Sequence, residues 1–178
     1  QEFGFDLFEK DWVKPHGKGK KADLFVKFES EFKDQNDYKT SCSIRFANPD
    51  DGLVPVPELV SEESLLKYPR EAPLDGYAVK ELTIEKSRPS VRGARIFAEQ
   101  KEPIGYLVRF RSVKNKQTGK IVSAHYGKIT RPEERIANVN PFQIGTFVRD
   151  ADRKLVLAPR FRFSFYLNPN LNDRNLEY

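Results

Sequence analysis

The side chains able to do chemistry are few and scattered. Histidine occurs twice, as His16 in a Lys-Gly turn and His125 in an apolar–polar alternation, and cysteine once, as Cys42. A closed zinc site takes four thiolate or imidazole ligands, the paired ones at short spacing, and no such pair exists here. Cys42 shares its parity with Ile44 and Phe46, so it is expected to be a small buried hydrophobe and not a nucleophile. The glycine-rich phosphate loops and the serine elbow of hydrolases are absent from the sequence. Two oxygen-rich stretches, NPDDG (48–52) and NPNLND (168–173), place ligand types at alternate positions, as calcium loops do. Neither runs on to a terminal Glu, and Asx turns use the same residues, so both are expected to be turns. No catalytic residue, metal or cofactor is assigned.

Cations are the remaining candidates. In RFRFSFYLN (160–168) the rings of Phe161, Phe163 and Phe165 fall on one parity with Leu167, and Arg160, Arg162, Ser164 and Tyr166 on the other. Nucleic-acid platforms need rings and cations on the same exposed face, so that bases can stack. Here alternation separates them, so the phenylalanines are expected to be core and nucleic acid is not the expected partner. GYLVRFRSV (105–113) repeats the arrangement with Arg109 and Arg111. Strand parity puts both arginine pairs on the solvent side of their sheets, where they would either pair with acids such as Glu81 and Glu85 or meet an acidic partner. Arg109, Arg111, Arg160 and Arg162 are the candidate partner-binding residues. Near the start, Lys14, Lys18, Lys20 and Lys21 cluster around Pro15, Gly17 and Gly19, with Glu2, Asp6, Glu9 and Asp11 close enough in sequence to dilute their field.

The elements that must position these residues read as strands. ADLFVKFESEFK (22–33) alternates with period two, KDQND is a turn, and YKTSCSIRFAN (38–48) returns as its hairpin partner. Residues 49–75 hold Pro49, Pro55, Pro57, Pro69 and Pro73 and are expected to cross between sheets, with one short helix in SEESLLKY (61–68) capped by Ser61. Strands resume in YAVKELTIEK, VRGARIFA, GYLVRFRSV, IVSAHYGKIT, PFQIGTFVR and LVLAPRFRFSFYLN. The expected fold is all-β: a two-sheet antiparallel sandwich of about nine strands, similar in architecture to immunoglobulin-like sandwiches but lacking their cysteine pair and strand-C tryptophan. A closed lipocalin-like barrel is the alternative, weakened by the proline-rich interruption. The whole chain, 1–178, is expected to be one domain, with 1–21 as an N-terminal segment.

The totals bound the rest. No apolar run reaches the roughly 18 residues of a membrane-spanning helix, and the mean hydropathy is −0.66. The net charge of +5 is uneven: residues 1–90 hold 14 Lys and Arg against 18 Asp and Glu, and residues 91–178 hold 17 against 8. The chain has no methionine, starts at Gln1, and carries one cysteine and no Asn-x-Ser/Thr sequon. The expectation is a bacterial exported protein, its signal peptide removed before Gln1, located in the periplasm, on the outer membrane or outside the cell. The expected function is a non-enzymatic, monomeric binding or surface-assembly protein, of adhesion or pilus type, with an unknown protein or polyanionic partner. A polyanion or nucleic-acid binder, and a carbohydrate-binding or carbohydrate-active protein using Trp12 and the seven tyrosines, are the alternatives.

Overall fold

The computed structural model describes residues 1–34, 36–57, 68–88, 103–131, 140–153 and 155–177. Within these residues the chain is all-β and antiparallel, with eleven strands and no helix. In order they are β1 (Glu2–Asp6), β2 (Asp11–Trp12), β3 (Leu24–Asp34), β4 (Asp37–Phe46), β5 (Gly52–Val56), β6 (Glu81–Arg88), β7 (Gly105–Lys114), β8 (Ile121–Thr130), β9 (Gln143–Arg149), β10 (Leu155–Arg162) and β11 (Ser164–Leu167). They form a five-stranded sheet, β2-β1-β3-β4-β6, a four-stranded sheet, β11-β8-β7-β5, and the two-stranded β10-β9. Most of the expected helix, 61–67, and the expected strand 91–98 lie outside the described residues.

The alternation in β3 and β4 does what a period of two requires. Val26 pairs with Ile44 and Phe28 with Cys42, which keeps the apolar side chains on one face. That face shares a core with the four-stranded sheet: Leu24, Val26, Cys42, Ile44 and Phe46 meet Leu53, Tyr106, Val108, Phe110 and Ile129. A second apolar cluster covers the other face of the four-stranded sheet. Tyr68, Ala72, Tyr77 and Leu176 pack there on Val56, Leu107, Ala124 and Tyr126. Segment 70–72 and the C-terminal stretch hold one another through Ala72 N–H to Arg174 O and Leu176 N–H to Arg70 O. Strand β7 is therefore enclosed on both faces, which the sequence expectation of one solvent side did not foresee.

Three boundaries differ from the sequence expectation. The N-terminal segment contains β1 and β2, and the proline-rich crossover begins with β5. Pro55 is tolerated there because β5 is the edge of its sheet, where a missing N–H breaks no ladder. The expected strand through RFRFSFYLN is two strands: β10 pairs with β9, and β11 pairs with β8. The ladder of β10 already slips between Leu157 and Arg160, around Pro159.

Candidate functional site

Among the described residues a concentration of ionisable groups lies inside the fold, with Arg111 at its centre. Between Phe110 and Val113 the β7–β8 register shifts, and Arg111 takes a φ of +53°. This bulge breaks the parity that would send Arg111 outward. The two extra N–H groups are met by Asp51, whose carboxylate accepts from Arg111 N–H and Ser112 N–H at 2.8 Å each. The NPDDG turn delivers that carboxylate: Asn48 Oδ1 accepts from Asp50 N–H, and Asn48 Nδ2 donates to Ser112 O. Turned inward, the Arg111 guanidinium donates from Nε to Asp23 Oδ1 at 2.7 Å and from Nη2 to Asp23 Oδ2 at 2.9 Å and Asp6 Oδ1 at 2.8 Å. It also lies 4.6 Å over the Phe8 ring.

The three carboxylates are buried and fully engaged. Asp6 accepts from the N–H groups of Phe8, Glu9, Lys20 and Lys21 as well as from Arg111. Asp23 also accepts from Leu7 N–H. Burial pushes the Asp6 carboxyl up, but the N–H groups of Lys21, Lys20 and Glu9 and the Arg111 charge outweigh it, leaving its pKa below the usual value. At Asp51 burial wins over the amide donors, and its pKa is raised. Burial alone would lower the Arg111 pKa; its acid partners raise it. His125 stands beside this centre, edge-on to Phe8 at 4.7 Å, its Nδ1 without a hydrogen-bond partner. Burial, then the Arg111 charge, lowers its pKa.

Arg109 is drawn inward on the opposite face of β7. It is 7% exposed, donates to Leu74 O at 3.0 Å and Asp50 O at 2.9 Å, and lies 4.5 Å over the Tyr77 ring. The expected solvent-facing pair on β7 is thus corrected: the layer carrying Tyr77 covers Arg109, and the bulge turns Arg111 between the sheets. Arg160 and Arg162 are exposed as expected, with Arg160 Nη2 donating to Phe147 O at 3.2 Å. They sit on β10, in a different sheet from β7, so the four guanidinium groups do not form one patch. The rings of RFRFSFYLN face inward, half-buried: Phe163 meets Phe5, Phe142, Phe161 and Phe165 at centroid distances of 4.9 to 5.5 Å.

The remaining sequence candidates are taken up by structure. Cys42 is fully buried, and burial pushes its thiol up to about 12. In NPNLND, Asn168 Oδ1 accepts from Asn170 N–H, Asn172 Oδ1 from Ala124 N–H, and Asp173 Oδ1 from Asn175 N–H. Among the described residues no three His, Cys, Asp or Glu side chains gather as a metal ligand set. Asp6, Asp23 and Asp51 were missed as a group because they lie 60 to 105 residues from Arg111 or its bulge. No local pattern encodes such a meeting. No family model, curated protein or solved structure matches the chain.

Proposed function

We propose that the chain is a non-enzymatic binding module of an exported surface assembly, built as a two-sheet sandwich. The sandwich reading rests on the core shared by the five- and four-stranded sheets. One observation carries the functional reading: the buried carboxylates Asp6, Asp23 and Asp51 commit their oxygens to the chain's own amides and to Arg111. A catalytic acid or base needs a proton site within hydrogen-bond reach of substrate, whereas Asp6 and Asp23 fasten their loops to the Arg111 guanidinium and Asp51 holds the backbone of its bulge. Such a centre holds surface loops in fixed positions, which favours recognition over turnover.

Sedimentation of the protein with isolated bacterial envelope fragments tests the reading. Saturable, salt-sensitive co-sedimentation is expected, and failure to bind any envelope fraction overturns it. Export is tested separately, by fractionating cells that express the full-length gene product. Recovery from the cytoplasm alone would overturn that part.

A further inference from the structure

We infer that the turns on either side of β2, residues 7–10 and 13–23, form a docking surface for a linear anionic polysaccharide, with Lys10, Lys14, Lys18 and Lys21 as its contact cations. This rests on the binding-module reading and names the partner's chemistry. The loop is held by its backbone. Asp11 accepts from Trp12 N–H and Lys18 N–H at 2.8 Å each, and Asp6 Oδ2 accepts from Lys20 N–H and Lys21 N–H at 3.0 Å each. Gly19 N–H donates to Trp12 O at 2.8 Å. A Cβ at Gly17 would lie 2.4 Å from Trp12 O, so the turn closes only around glycine. Lys18 and Lys21, whose amides are fixed this way, present their ammonium groups from a rigid base, which lowers the ordering cost of binding.

The acids near these lysines in sequence are engaged elsewhere. Glu2 pairs with Arg45 at 2.6 Å, Glu9 with Lys20 at 2.5 Å, and Asp6 and Asp23 with Arg111. Asp11 faces the loop's own amides. Lys10, Lys14, Lys18 and Lys21 are exposed and make no ion pair among the described residues. Arg45, Lys20 and Arg111 offset three of the five acids Glu2, Asp6, Glu9, Asp11 and Asp23, so the four remaining lysines leave the region net positive.

The packing of the rings argues against a single-stranded nucleic acid. Trp12 is half-buried and edge-packed on Phe3 and Phe5 at 6.1 and 5.3 Å, and Phe3 is itself packed by His16 at 4.9 Å. The rings engage one another and do not form the open stacking platform that single strands use. The contact cations are all lysines, compact and strongly hydrated point charges that impose no bidentate geometry on an anion. What the loop offers is spaced positive charge, which suits carboxylate or sulfate groups along a sugar chain.

Heparin serves as the probe, titrated against the fluorescence of Trp12, the only tryptophan in the chain. Four engaged ammonium groups predict a loss of about 100-fold in affinity between roughly 50 and 200 mM salt, by analogy with counterion release from duplex DNA. Replacing Lys10, Lys14, Lys18 and Lys21 by Gln should abolish most binding and its salt dependence. The same four-charge removal at Lys33, Lys86, Lys116 and Lys120 should not. Gly17→Ala keeps the charge and forces the turn to shift, and should weaken heparin binding at least several-fold at a temperature where circular dichroism shows the variant still folded. Equal losses in the two lysine sets, or tighter binding of short duplex DNA than of heparin, would overturn the inference. If the loop variant still sediments with envelope fragments like the wild type, the docking surface is wrong and the binding-module reading stands. If the wild type binds neither heparin nor envelope, both fall.

Discussion

A φ of +53° at Arg111 is a left-handed value that costs a residue with a side chain about 1–2 kcal/mol, and the ion pairs explain why the chain holds it. The strained bulge is what brings the guanidinium to Asp23 and Asp6. Removing the one cation of this group leaves two buried carboxylates without a counter-charge, so Arg111→Gln should lose about 3–5 kcal/mol in urea denaturation. Arg162→Glu on exposed β10 should stay within about 0.5 kcal/mol. Equal costs would show that the internal pair does not hold the fold. His125 adds a pH dependence whose sign follows from its lowered pKa. The unfolded imidazole takes up a proton near its ordinary value of about 6.5, while the folded one resists. The unfolded state binds more protons in that window, so stability is full above about pH 6.5 and declines as pH falls toward the folded value. His125→Phe, packed between Phe8 and Phe110, should flatten the decline seen in denaturation midpoints between about pH 7 and 5.5. An unchanged slope would remove His125 as its source.

Among the elements, the β3–β4 hairpin was readable because its alternation is local and its turn polar. The split of RFRFSFYLN into β10 and β11 was not, since parity stays the same while the partner strand changes from β9 to β8. Parity likewise failed at Arg109 and Arg111. It assumes one wet face and an unbroken ladder, and β7 has a covering layer on one side and a bulge in its length. The junction of β11 with β8 depends on Gly127. A Cβ there would lie 2.4 Å from Tyr166 O and 2.7 Å from Leu167 Cδ2, and backbone cannot yield as a side-chain tip does. Gly127→Ala should therefore cost about 2 kcal/mol or more through strain and lost β8–β11 pairing. Slowed amide exchange at Phe165 and Leu167 in this variant, compared with the wild type, would contradict the argument. Faster exchange is expected.

On the scale of the whole molecule, β7 belongs to two cores at once. Val108 and Phe110 lie in the cluster between the two larger sheets, and Leu107 in the cluster beneath the covering layer. Loosening one cluster therefore frees one face of the strand the other needs, and the two should melt together. Two leucines of the C-terminal stretch separate this coupling from mere proximity. Leu176 is 1% exposed and packs in the second cluster, while Leu171 is 56% exposed. Leu176→Ala removes a filled volume and should cost about 2–5 kcal/mol, or roughly 4–20 °C in Tm for a chain of this size. Leu171→Ala should leave Tm within about 2 °C. The distinguishing result is the shape of the transition. With β7 shared, Leu176→Ala should shift a single cooperative melt, with near-ultraviolet dichroism and tryptophan fluorescence moving together. Trp12 packs against the first cluster and reports on it, whereas Tyr77 and Tyr126 lie in the second. If the tyrosine signal melted early while Trp12 fluorescence kept its original midpoint, the clusters would be independent units, and the strand between them would not transmit the loss.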